Sequence, residues 1–302
     1  MIRLGTRGSA LALAQADLVA ERLPGEVEIV PITTSGDERR GGTPELADKS
    51  RFVKEIEESL LAGEIDVALH SAKDVPTDLP RGLLLQAVLE RADPRDALCG
   101  ADSLEDLPAG AVVGTSSLRR RAALLALRPD LDLRDIRGNV DTRLRRLADG
   151  DFDALVLAKA GLDRLGRGSE GHPLDPGAFV PAAGQGCLAV QIRDADEPAN
   201  QATFGLTDFT AQACLTEERS VVRLLRATCN TPIGVHAVKT GDDTMRLTAF
   251  LGLPDGSRWI RDELELPFLD ATSLIGLHVA ERLRAAGADE LLAEAERLVA
   301  AG

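Results

Sequence analysis

One short pattern occurs twice in the 302 residues and limits what the chain can fold into. A strand-like run, Ile2–Leu4, enters the turn Gly5-Thr6-Arg7-Gly8 and a helix start at Ser9. Ala111-Val112-Val113-Gly114-Thr115-Ser116-Ser117 repeats that order. A second pair matches at a spacing of 87 residues: Gly63-Glu64-Ile65-Asp66-Val67-Ala68-Leu69 and Gly150-Asp151-Phe152-Asp153-Ala154-Leu155-Val156. Each copy sets an apolar strand behind a helix-ending glycine. The expectation is two similarly built α/β lobes with parallel strands joined by helices. Arg91-Ala92-Asp93-Pro94-Arg95-Asp96 would be the hinge between them.

Local signals fill in the rest. Ser9 is a good N-cap for a helix with Leu11, Leu13, Ala14, Leu18 and Val19 as its apolar positions. Glu26–Ile32 alternates as a strand. The polar stretch 33–51, with Gly36, Gly41, Gly42 and Pro44, reads as a mobile loop. Phe52–Leu61 is helical with Gly63 at its C′ position, and Asp66–Leu69 is a buried strand. Past residue 235 the pattern changes to strands at Val235–Val238, Met245–Leu251 and Arg258–Leu266, joined by Gly241-Asp242-Asp243 and Pro254-Asp255-Gly256. Helices at 271–286 and 289–300 complete a small α+β unit.

The charge is unevenly spread. The chain is acidic, at −14, and 30 of its 35 basic residues are Arg. Residues 119–146 hold nine Arg and four Asp, a net of +5, which leaves −19 elsewhere. Aromatic residues are only 3% and Tyr is absent, so a base-stacking surface is not expected. Neither a phosphate-loop motif nor a G-x-G-x-x-G after a strand is present. Small anions, carboxylates above all, fit the Arg island better than nucleic acid or nucleotides. No apolar run approaches the roughly 18–20 residues that span a bilayer, and the start of the chain has no signal-peptide core. The expected location is cytoplasmic, with no membrane partner. Cys99, Cys187, Cys214 and Cys229 form no C-x-x-C pair, and the four His are scattered, so no metal is expected. By itself each Cys reads as a buried or idle thiol.

Two segments carry chemistry. Gly114-Thr115-Ser116-Ser117-Leu118-Arg119-Arg120 sets hydroxyls and N–H groups at a helix start with two guanidinium groups behind them, and Arg137-Gly138-Asn139-Val140-Asp141-Thr142-Arg143 flanks a turn with Arg. Anion binding is favoured there, whereas Arg121, Arg128, Arg145 and Arg146 read as a solvated basic face. In His70-Ser71-Ala72-Lys73-Asp74-Val75-Pro76, Lys73 and Asp74 close a buried strand. A strand-terminal salt bridge and an acid working beside an anion-binding Lys both fit.

With these residues in place, the chain resembles the porphobilinogen deaminase (hydroxymethylbilane synthase) family from about residue 2 to 300. The resemblance rests on Gly5-Thr6-Arg7-Gly8-Ser9-Ala10-Leu11-Ala12, on the His70–Pro76 segment, on Asp93-Pro94-Arg95-Asp96-Ala97 and on the two Arg segments. Ala160-Gly161-Leu162-Asp163-Arg164-Leu165-Gly166, Pro181-Ala182-Ala183-Gly184-Gln185-Gly186 and Cys229-Asn230-Thr231-Pro232-Ile233-Gly234 complete it. Eight ordered motifs are far more specific than any one alone.

The resemblance implies an enzyme that joins four porphobilinogen molecules head to tail into hydroxymethylbilane and releases ammonia, in tetrapyrrole biosynthesis. It implies a dipyrromethane cofactor on a thioether to Cys229, and Asp74 as the essential carboxylate. Cofactor and product chain would be held by Ser71, Lys73, Thr115, Ser117, Arg119, Arg120 and Arg143. Substrate would meet Arg7, Ser9, Gln15, Arg137 and Arg164. Lys49 and Phe52 match the family's loop, and Gln185 its hinge. The implied fold is two doubly wound lobes like the hinged lobes of periplasmic binding proteins, plus an α+β domain with a three-stranded antiparallel sheet. The divisions expected are 1–92 with 186–206, then 93–185, then 207–302, in a monomer. Two places depart from the family: Ala47-Asp48-Lys49-Ser50-Arg51-Phe52 where glycines are common in the loop, and Ala227-Thr228 where Gly-Gly often precedes the Cys.

Overall fold

The structure, a computed structural model, describes residues 1–35, 52–228, 231–241 and 243–301. Lys49, Cys229 and most of the expected loop 33–51 lie outside the described residues. The chain divides into two compact units, Met1–Ala92 with Gly186–Ala213, and Asp93–Gln185 with Cys214–Gly302.

The first unit is built on β1 (Ile2–Arg7), α1 (Ala10–Ala20), β2 (Val27–Ile32), α2 (Lys54–Leu61), β3 (Val67–Ser71) and β4 (Leu83–Val88). Its sheet has the order β2-β1-β3-β10-β4, with β10 at Leu188–Arg193. Alternation decides which side chains face which helix. Val67 and Leu69 of β3 join Leu188, Val190 and Ile192 of β10 against Ala16 and Val19 of α1. Ala68 instead faces Ile56 and Leu60 of α2. Helices thus cover both faces.

The second unit repeats this plan. β6 (Val112–Gly114), α3 (Leu118–Leu127), β7 (Asp132–Arg134), α4 (Val140–Ala148) and β8 (Ala154–Ala158) match β1 through β3, and α5 (Lys159–Arg164) follows β8. With β5 (Asp96–Cys99) and β9 (His172–Pro173) the sheet order is β7-β6-β8-β5-β9. Ala154 and Val156 pack toward Ala122 and Ala123 of α3, while Leu155 and Leu157 pack toward Leu144 of α4 and Leu162 of α5. The expectation of uniformly parallel lobes needs one correction. The first three strands of each sheet are parallel, but β10 and β5 run antiparallel to their neighbours. β5 forms just after the chain enters the second unit, and β10 just after it returns to the first. Asp96, expected in the hinge, begins β5 and is fully buried.

The repeated residues have a physical reason. Asp66 N–H donates to Arg3 O at 2.9 Å and Asp66 Oδ2 accepts from Arg3 N at 2.9 Å. Asp153 makes the same clasp with Val112, at 2.9 and 2.6 Å. Each clasp pins the start of the first strand to the start of the third. Beside it, Ile65 fills the space where Gly5 lacks a Cβ, and Phe152 fills the space at Gly114.

The rest of the second unit is the meander β11 (Ile233–Thr240), β12 (Thr244–Gly252) and β13 (Trp259–Pro267), with helices α8 (Phe268–Ala285) and α9 (Ala288–Ala301) and α7 (Phe209–Leu224) from Cys214 on. The three-stranded antiparallel sheet is as expected, with its first strand longer at both ends. Helix α6 (Glu197–Thr203) belongs to the first unit.

The clasp and the glycine pocket generate a test. A Cβ at Gly114 would sit 2.5 Å from Leu155 Cδ2 and 2.9 Å from Phe152 Cδ1. Gly114→Ala is expected to destabilise the second unit by about 1–3 kcal/mol through overpacking, measured by denaturant unfolding. Gly5→Ala, whose close neighbours are flexible Ile side-chain ends, should cost less.

Candidate active site

In open α/β sheets the carboxyl ends of parallel strands are where ligands bind. In the first unit β1 and β3 are adjacent and parallel, paired through Leu4–Val67 and Gly5–Ala68, so their ends share one edge. Arg7 ends β1, and Ser71 ends β3. A 3₁₀ turn, Ala72–Asp74, then carries Lys73 and Asp74. Ser9 caps α1 as expected, its Oγ accepting from Ala12 N at 3.3 Å. Gln15 on that helix is buried. The Arg7 guanidinium lies 4.1 Å from the centre of the Phe52 ring, a cation–π contact.

His70, quoted in the sequence motif but given no role there, is buried at the end of β3. Its Nε2 is 2.9 Å from Gln191 Oε1. Burial pushes its pKa down to about 4, against the opposing effects of Gln191 and of the Asp74 charge. The ring is therefore neutral at pH 7.

In the second unit the equivalent edge carries the hydroxyl and guanidinium groups. Ser117 caps α3 and accepts from Arg120 N at 3.5 Å, and Thr115 Oγ1 accepts from Ser117 N at 3.2 Å. Ser116 Oγ donates to Ile136 O and accepts from Ile136 N, tying this turn to the segment before Arg137. Gly138, at φ +108°, makes the turn into α4, which Asn139 caps through Thr142 N at 2.9 Å. Arg143 Nε donates to the Gly138 carbonyl at 2.8 Å.

Arg119 and Arg120 are buried, and sequence reasoning missed their partner. Asp96 lies 2.8 Å from Arg119 Nη1 and 2.7 Å from Arg120 Nη2 as ion pairs. Arg119 also donates to the Val180 carbonyl and Arg120 to that of Val156, both at 2.8 Å. One carboxylate thus serves two guanidinium groups. Nearby, desolvation first and the Arg120 charge second push Arg143 down to about 10. It still carries its charge at pH 7, and among the described residues no carboxylate lies within ion-pairing distance of it. Arg137 is exposed and similarly unpaired among the described residues. Arg164 sits in the last turn of α5, and Gln185 Nε2 donates to the Pro94 carbonyl at 2.8 Å.

The remaining Arg of the island divide differently from the expected solvated face. Arg128 donates to the carbonyls of Leu104 and Leu107 and pairs with Asp130, which makes it a brace behind α3. Arg121 donates to the Leu133 carbonyl, Arg146 pairs with Asp151, and Arg145 is exposed. Among the described residues no group of His, Cys, Asp or Glu gathers as a metal site. Among the same residues no helix is long and apolar enough to cross a membrane.

The chain belongs to the porphobilinogen deaminase family. The family model described as "Porphobilinogen deaminase, dipyromethane cofactor binding domain" matches residues 2–201, and that described as "Porphobilinogen deaminase, C-terminal domain" matches 212–285. Porphobilinogen deaminase of Thermus thermophilus is 47% identical over 97% of this chain and 99% of its own length. That of Geobacter metallireducens is 45% identical over 97% and 94%. A solved ancestral cationic amino acid solute binding protein covers 68% of this chain and is covered over 87% of its own, at 17% identity and TM-score 0.43, too distant to add to the topology. The residues present fit a polycarboxylate cofactor, since Arg143 is a desolvated cation lacking an acidic partner among the described residues.

Removing Asp96 would leave two buried guanidinium groups without their counter-charge. Asp96→Ala is expected to cost about 3–5 kcal/mol of stability. Asp93→Ala, which breaks the partly exposed pair with Arg95, should cost at most about 1 kcal/mol. Denaturant unfolding of both variants checks the contrast.

Proposed function

We propose that the chain is a hydroxymethylbilane synthase, a transferase that condenses four porphobilinogen molecules head to tail with release of ammonia in tetrapyrrole biosynthesis. The observation that carries this reading is the guanidinium cluster of Arg119, Arg120 and Arg143, whose charge exceeds that of its one buried carboxylate. Each pyrrole ring of substrate and product carries an acetate and a propionate, and Arg is the side chain that grips such groups in bidentate fashion. Thr115, Ser117, Arg119, Arg120 and Arg143, with Ser71 and Lys73, bind the carboxylates of the cofactor and product chain. Arg7, Ser9, Gln15, Arg137 and Arg164 bind those of the incoming ring.

The dipyrromethane, held through a thioether to Cys229, supplies when bound the electron-rich pyrrole to which rings are added. Asp74 acts on the substrate. Loss of ammonia leaves positive charge spread onto the pyrrole nitrogen, and a fixed carboxylate beside that N–H stabilises it. Arg7, held over Phe52, orients a ring carboxylate. Phe52 and Lys49 match the family's loop segment, and Gln185 its return segment at the hinge. We assign 207–302 as a domain of its own, and we assign the enzyme as a cytoplasmic monomer that needs no metal.

Intact-mass measurement tests the reading. The purified chain should be heavier than its sequence by one dipyrromethane, and Cys229→Ala should lose the increment. Asp74→Asn should keep it while turnover drops by about 10²–10⁴-fold. An unmodified chain with full activity overturns the attachment, and near-normal turnover of Asp74→Asn overturns the role of Asp74.

A further inference from the structure

Three polar side chains sit in a layer of the first unit that is otherwise apolar. Ile56 and Leu60 of α2 pack there on Ile65, Ala68 and Leu83. Into this layer project Glu57 of α2, Gln191 of β10 and His70 of β3, at 7%, 0% and 5% exposure. The antiparallel register sets Ala189 opposite His70 and Gln191 opposite Ala68, so His70 and Gln191 are diagonal neighbours on one face. Gln191 Nε2 donates to Glu57 Oε1 at 2.8 Å, and Gln191 Oε1 faces His70 Nε2 at 2.9 Å.

With Glu57 ionised, these contacts admit one proton arrangement. An ionised carboxylate only accepts, so Glu57 takes the amide NH₂ of Gln191. The amide then presents oxygen to His70, and His70 Nε2 must carry the ring hydrogen. Burial raises the Glu57 pKa, and the hydrogen bond from Gln191 opposes that rise. The chain of contacts runs from α2 through β10 to the end of β3. His70 stands one residue before Ser71 and four before Asp74, and Asp74 is the acid whose charge reaches its ring.

We propose that Glu57, Gln191 and His70 form a positioning chain that holds His70 as the neutral Nε2–H imidazole and thereby gives the turn bearing Lys73 and Asp74 a single arrangement. The proposal rests on the reading of that turn as part of the working site. None of the three touches substrate; they act through β3 and the turn that follows it. Leaving any of them unpaired in this layer would carry the full desolvation cost of a buried polar group, which makes the arrangement all-or-none.

The test uses the full-length, cofactor-loaded protein with ¹⁵N-labelled His, in which the His70 resonance is assigned by its loss in His70→Asn. The wild type should show His70 as the neutral Nε2–H form. Glu57→Gln keeps the side-chain size but adds a donor. The Gln191 amide can then turn over, present its NH₂ to His70 and move the ring toward the Nδ1–H form. With that shift kcat should fall about tenfold, the lower end of what such outer-shell changes cost, while KM stays within about twofold. Gln191→Met, which severs the chain with an apolar side chain of similar length, should lower kcat in the same way. An unchanged tautomer in Glu57→Gln, or a shifted tautomer with wild-type kcat, overturns the proposal. Near-normal turnover of Asp74→Asn would instead remove the reading of the turn, a failure that the tautomer of His70 does not register.

Discussion

The second unit depends on Asp96. Two adjacent arginines at the first turn of α3 are buried, and burial of guanidinium is tolerable only with a counter-charge and hydrogen-bond acceptors. Asp96 supplies the charge from β5, while the carbonyls of Val156 and Val180 supply acceptors from β8 and from the segment after β9. One ion cluster therefore joins a helix N-terminus, two strands and a connecting segment. It also leaves positive charge in excess, to which Arg143 adds. The same interaction that stabilises the unit fixes this excess at the start of α3.

The two units put different chemistry on equivalent strand ends. After β3 comes a short turn with Lys73 and Asp74, and after β8 comes α5. After β1 and after β6 come capped helices, but only the second has paired arginines in its first turn. A duplicated scaffold has thus placed an acid in one copy and a guanidinium cluster in the other. The clasps of Asp66 and Asp153 stayed the same in both, because they serve the scaffold rather than the ligand.

How much of this was readable in the chain follows from how local each signal is. The repeated Gly-Thr turns, the helix-ending glycines and the serine caps act on neighbouring backbone, so residues 2–9 and 111–117 announced the α/β lobes. The family residues Arg7, Ser71, Lys73, Thr115 and Ser117 stood at strand ends where the pattern put them. Asp96 falls in the segment expected as the hinge because its partners lie 23 and 24 positions away, and no periodicity links them. Gln191 and Glu57 were passed over for the same reason. A signal existed for Gln191, a lone amide inside the apolar run Leu188-Ala189-Val190-Gln191-Ile192, where burial demands a polar partner. The antiparallel sense of β5 and β10 was hidden as well, since strand direction is set by tertiary pairing and not by alternation.

The order β2-β1-β3-β10-β4 has a bearing on synthesis. β10 lies between β3 and β4, yet it is made after the whole stretch 93–185. The first unit therefore cannot close its sheet while its own first 92 residues are the only part of it off the ribosome. Until Leu188–Arg193 emerges, β3 has an open edge and Gln191 is not there to satisfy Glu57 and His70. All of the second sheet is synthesised in that interval, from β5 through β9. The sheet begun first is thus completed after the second sheet, and its unpaired strand edge is the stretch a nascent chain must keep from pairing with a neighbour.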